Sequence, residues 1–145
     1  IVGNQKNLVD IFNDNLENIY TSRTFCFLED VEKIKKIGLA KGGSLENAVV
    51  ISDETVLNKG GLRNEKEFVN HKILDLVGDF FLSGYNFLGK VKCFKGGHQL
   101  SNLFLRQLFE KNNEKFEFIE LNVNKGDNIS KVSYKNNITS IAANA

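Results

Sequence analysis

Glu67-Phe-Val-Asn-His71-Lys72-Ile-Leu-Asp75-Leu-Val-Gly-Asp79-Phe-Phe81 reads as one helix. Phe68, Ile73, Leu76, Val77 and Phe80 recur at helical spacing and supply a face for a core. Positions four apart share a face, with a drift of roughly 40° per step. His71, Asp75 and Asp79 therefore form one polar stripe. An imidazole one turn before a carboxylate presents two rigid ligands to a divalent metal. The competing reading is a polar stripe facing water, and His-x3-Asp alone does not decide between them.

Outward from this helix, the chain alternates short strands and helices. Asn64 and the acidic residues after it mark the helix start near Glu65, and Gly84 ends it after about Ser83. Upstream, Gln5 to Phe12 reads as an edge or half-buried strand, Asn13-Asp-Asn15 as a turn and cap, and Leu16 to Tyr20 as a short helical face. Thr24-Phe-Cys-Phe27 is a brief strand. Val31, Ile34 and Ile37 then mark a helix with Lys33, Lys35 and Lys36 near its C-terminus and Gly38 closing it. Asn47 to Ser52 carries Ala-Val-Val-Ile, a buried strand, and Val56 to Asn58 a shorter one. Strand, helix and strand form a β-α-β insert. Downstream, Phe87 to Phe94 reads as a strand, Gly96-Gly97 as a turn, and His98 to about Lys111 as a second long helix. Phe116 to Leu121 has strand character. The expected fold is α+β, a layered sheet with two long helices on one face plus the insert.

At 145 residues and 41% hydrophobic content, the chain has room for one domain with a core. Nineteen basic and 18 acidic residues leave a net charge of +1, so no global field points to nucleic acid or an anionic membrane. No run of about 18 apolar residues provides a membrane span. Cys26 and Cys93 belong to no Cys-x-x-Cys pair; they read as small hydrophobes of a reducing cytoplasm, with a disulfide left open. Ile1-Val-Gly-Asn4 has neither an initiator Met nor a signal-peptide pattern, and it reads as a cut end of a longer chain. Residues 1–112 are expected to form the domain, and 113–145, rich in Asn, Lys and Ser, a partly strand-like extension or flexible tail.

Four further blocks flank the helix: Ser22-Arg-Thr-Phe-Cys-Phe-Leu-Glu-Asp30, Gly38-Leu-Ala-Lys-Gly-Gly-Ser-Leu-Glu-Asn-Ala48, Leu57-Asn-Lys-Gly-Gly-Leu-Arg63 and Phe94-Lys-Gly-Gly-His-Gln-Leu-Ser-Asn102. Together with it they resemble, from about Thr21 to Arg106, the C-terminal half of the zinc-dependent UDP-3-O-acyl-N-acetylglucosamine deacetylases of lipid A synthesis. The resemblance implies a fold in which two similar domains sandwich their helices between two sheets. It implies that His71 and Asp75 bind Zn2+, and that a third ligand histidine and a general-base glutamate lie on an N-terminal domain absent from this chain. His98 would be held protonated by Asp79 and would stabilise the oxyanion or protonate the leaving amine. Thr24 would assist the oxyanion. Lys72 would contact the sugar nucleotide, and Phe25, Phe27 and Gly43 would lie near substrate. Val31, Ala40, Ala48 and Val50 of the insert would line an acyl-chain passage.

Read without the resemblance, Phe25 and Phe27 are core, Lys72 is a solvated lysine, His98 a cap residue, and the insert an ordinary β-α-β unit. The alternative function is accordingly a non-catalytic substrate-binding or structural α+β domain.

Overall fold

The computed structural model describes residues 2–110 and Phe118. The chain divides into two compact units, Ile1–Gly78 and Asp79–Ala145. The fold is α+β, as expected.

In the first unit, α1 (Glu17–Tyr20) is followed by β1 (Thr24–Phe27), α2 (Leu28–Lys36), β2 (Ala48–Ser52) and β3 (Thr55–Val56). β1 and β2 run parallel, with Thr24 opposite Ala48 and Phe27 opposite Ile51, so α2 is the crossover of the expected β-α-β unit. α2 carries Glu29 and Asp30 in its first turn and three lysines in its last, each sign placed to oppose the helix dipole. Gly38 ends it in the left-handed region at φ +80°, while the Leu39 N–H reaches back to the Ile34 carbonyl. β2 turns into β3 through Asp53, also left-handed, as a tight hairpin requires. The period of two puts Val49 and Ile51 on one face of β2 and Val50 on the other. Val49, Ile51 and Phe68 form the buried core, with Phe25, Val56 and Leu62 packed against it. Buried Asn58 ties the start of β2 in place: its Oδ1 accepts from Val50 N at 3.0 Å and its Nδ2 donates to the Leu45 and Ala48 carbonyls.

The expected strand from Gln5 to Phe12 does not form. Asp10 closes the chain into a turn, its carboxylate accepting from the backbone of Phe12 and Asn13 and from the Asn13 side chain. The Asn13 side chain first, then the Phe12 N–H, lowers the Asp10 pKa below its ordinary value. Leu8, Ile11 and Phe12 are left exposed, so the alternating apolar pattern has no sheet to join.

α3 (Glu67–Phe81) is the long helix read from the sequence, and its last residues belong to the second unit. Within that unit Gly84, at φ +77°, follows the helix end, and α4 (His98–Leu108) begins after the double glycine. Phe80 packs on Phe104 and Phe87 at ring-centroid distances of 5.4 and 4.9 Å, and Leu105 and Leu108 of α4 are buried. Residues 87–94, expected as a strand, are irregular. Gly89 sits at φ +156° and Lys95 at φ +50°, and Phe87 spends its ring on Phe80 rather than on a neighbouring strand. The expected strand Phe116 to Leu121 and the 113–145 extension lie outside the described residues, apart from exposed Phe118. Among the described residues, no helix is long and apolar enough to cross a membrane.

Candidate metal and catalytic site

The first unit brings His71 and Asp75 together on α3. His71 Nδ1 lies 3.2 Å from the Ser22 carbonyl. A carbonyl only accepts, so this bond needs Nδ1–H, and a neutral imidazole then keeps Nε2 as an unprotonated acceptor. That Nε2 lies 3.4 Å from Asp75 Oδ1. An acceptor nitrogen and a carboxylate oxygen so placed repel unless a proton or a cation lies between them. With ligand bonds of roughly 2.0–2.2 Å, a tetrahedral edge measures about 3.3–3.6 Å, so the pair has the spacing of two ligands on one zinc-sized ion. The carbonyl on the other ring nitrogen is the partner metal-bound histidines ordinarily have. The donor set thus fits zinc, two ligands deep: among the described residues, no group of three or more His, Cys, Asp or Glu side chains converges.

Around this pair the sequence-named residues divide. The Phe25 ring is 6.4 Å from the imidazole, and Lys72 Nζ sits 5.8 Å over the Phe25 ring in a cation–π contact. Phe25 also meets Phe68 edge-on at 4.9 Å, so it serves the core as well as the site. Thr24 is exposed at the start of β1 and Phe27 exposed at its end. In the insert, Val50 is buried, Val31 and Ala48 are half-buried, and Ala40 is exposed in the left-handed region at φ +51°. Gly43 packs closely on the Ala40 carbonyl; a Cβ there would lie 3.2 Å from that oxygen.

The second unit holds the other pair. His98 Nδ1 faces both carboxylate oxygens of Asp79, at 2.9 and 3.1 Å. The His98 side chain is 73% exposed and Asp79 only 13%, so a shielded carboxylate grips one nitrogen of an imidazole open to solvent. Left-handed Lys95 and a tight Gly96, where a Cβ would run into Cys93 Sγ, deliver His98 to the start of α4. The pair borders a cleft of about 410 Å³ that Asn102, Arg106 and Phe109 also line.

One participant was missed in the sequence, where Glu67 counts only as a first-turn acid. It is fully buried, and its carboxylate accepts from Arg23 N, Nε and Nη2 at 3.0, 2.8 and 3.1 Å and from Arg63 N at 2.7 Å. Its spacing was the available signal, four residues before His71 on the same stripe. Burial by itself pushes the Glu67 carboxyl up, but the bonds from Arg23 and Arg63 outweigh it and hold the pKa below the ordinary 4.5. A carboxyl depressed on folding stabilises fully above its unfolded pKa and loses that contribution as pH falls through the folded value. Urea midpoints measured from pH 7 to pH 3 are therefore expected to fall more steeply below 4.5 for the native chain than for Glu67→Gln. Parallel curves would show that Glu67 contributes no such acid sensitivity.

Comparison with known proteins adds to this geometry. Residues 1–110 match the family profile described as LpxC: UDP-3-O-acyl N-acetylglycosamine deacetylase. The UDP-3-O-acyl-N-acetylglucosamine deacetylase of Psychrobacter sp. (strain PRwf-1) is 43% identical over 106 residues, covering 73% of this chain and 35% of the relative. That of Mannheimia succiniciproducens is 48% identical over 104 residues, covering 72% and 34%. That of Nautilia profundicola is 46% identical over 120 residues, covering 82% and 40%. The chain spans between about a third and two-fifths of the length of these relatives.

Proposed function

The chain belongs to the UDP-3-O-acyl N-acetylglycosamine deacetylase family, and from that premise we propose that it supplies part of a zinc-dependent site. The reaction is hydrolysis of the N-acetyl group of UDP-3-O-acyl-N-acetylglucosamine, the committed step of lipid A synthesis. The observation that carries the zinc reading is the His71–Asp75 pair, with Nδ1 engaged by a carbonyl and Nε2 at a ligand edge from the carboxylate. A histidine ligand and a glutamate base come from outside the described residues, on a second domain of similar fold. Two unpaired cysteines fit a reducing cytoplasm as the setting.

Zinc, when bound, supplies a water whose pKa falls to about 7 and a Lewis acid for the amide carbonyl. The chain's own residues do the rest. His71 and Asp75 fix two positions on the metal from one rigid helix. Asp79 accepts from His98 Nδ1–H, and a protonated His98 would donate through Nε2–H to the oxyanion that develops as water adds to the acetyl carbon. As the C–N bond breaks, the amine needs a proton, and the same Nε2–H is placed to give it. Thr24 offers a hydroxyl for oxyanion binding. Lys72 and Phe25 hold the sugar nucleotide, with Phe27 and Gly43 beside it. Val31, Ala40, Ala48 and Val50 line the passage for the acyl chain.

Zinc titration of this 145-residue chain near pH 7 tests the reading. Binding is expected to be weak, as befits two ligands, and to disappear in His71→Ala with the fold intact. Binding that His71→Ala leaves unchanged would sink the zinc assignment, and tight one-to-one binding would put the third ligand inside this chain.

A further inference from the structure

The Ser22–Arg23 peptide is gripped at both ends by residues one turn apart on α3. Its N–H donates to Glu67 Oε1 at 3.0 Å, and its C=O accepts from His71 Nδ1 at 3.2 Å. A peptide group is planar, so the two ends turn together. The bond at the N–H end is charge-assisted, and a polarised amide is a stronger acceptor at its oxygen. Neither anchor is loose. Glu67 also takes Arg23 Nε, Arg23 Nη2 and Arg63 N, and buried Ser22 donates its hydroxyl to the Asn18 carbonyl.

We propose that Glu67 is a positioning residue for His71, acting through the Ser22–Arg23 peptide to hold the imidazole as its Nδ1–H tautomer with a bare Nε2 toward Asp75. The consequence for metal binding rests on the zinc reading given above; the tautomer itself does not. A buried carboxylate thereby reaches a ligand histidine through one amide rather than by direct contact. Outer partners of metal ligands are typically worth 10–100-fold in affinity, and one acting through an amide belongs at the lower end.

The test is imidazole 15N NMR of His71 in the metal-free chain at pH 8, which needs only two histidines resolved. The native protein is expected to show the Nδ1–H form. Glu67→Gln, which sets an amide N–H2 against donors, is expected to mix the tautomers and to weaken zinc binding about tenfold. Arg23→Lys removes the guanidinium fork but keeps the backbone N–H on Glu67. It should lose stability while leaving the tautomer unchanged. An Nε2–H imidazole in the native chain would overturn the proposal, and that reading needs no variant to fold. So would a folded Glu67→Gln with the native tautomer, or an Arg23→Lys that shifts it as far as Glu67→Gln does. Because the tautomer is read without metal, failure of the zinc assignment leaves this result separate and interpretable.

Discussion

Glu67→Ala is expected to destabilise the first unit by about 3–5 kcal/mol, read as a drop in the urea midpoint with little change in slope. The magnitude follows from what the substitution strands. Arg23 is 9% exposed and, among the described residues, would keep its charge beside the Gly61 carbonyl that its Nη2 donates to. The backbone N–H groups of Arg23 and Arg63 would each lose an acceptor at 3.0 and 2.7 Å. An orphaned buried donor costs about 1–3 kcal/mol, so the two amides alone account for a large part of the loss. Buried ion pairs can often be exchanged for apolar pairs at little cost. Here they cannot, because half of the carboxylate's partners are backbone. Replacing Arg23 and Glu67 together by leucine is therefore expected to remain well below the native stability. A loss under about 1 kcal/mol for Glu67→Ala, the size of an exposed pair, would mean that this ion pair is not buried in solution.

Why Glu67 stayed hidden in the sequence while His71 and Asp75 did not is a matter of range. Helical periodicity is local, so the spacing of His71, Asp75 and the apolar face of α3 can be read residue by residue. Whether a glutamate in the first helical turn meets water or a buried arginine depends on a partner 44 residues away. The same division runs through the fold. α2, α3, α4 and the Val49–Ile51 strand declared themselves by period and composition. Gln5–Phe12 and Phe87–Phe94 carry equally apolar patterns and form no strand, because a strand exists only with a neighbour. Asp10 closes the first segment into a turn, and the second spends Phe87 on Phe80. The Asp79–His98 pair bridges 19 residues and was foreseeable only from the resemblance of its flanking blocks.

That pair carries the largest expected functional effect. On the proposed function, His98→Ala is expected to lower kcat for deacetylation by about 10²–10⁴-fold and to change KM little. His98 offers one nitrogen to Asp79 and exposes its ring to solvent, and in the proposed reaction a protonated imidazole donates to a substrate oxygen or nitrogen. Such a bond strengthens as negative charge develops, and a contact made mainly in the transition state acts on kcat. Asp79→Asn should give a smaller loss, because an amide oxygen can still accept from Nδ1 while the charge that favours the imidazolium is gone. A His98→Ala variant with near-native kcat would remove the residue from the reaction, leaving the Asp79–His98 bond as a means of fixing the start of α4.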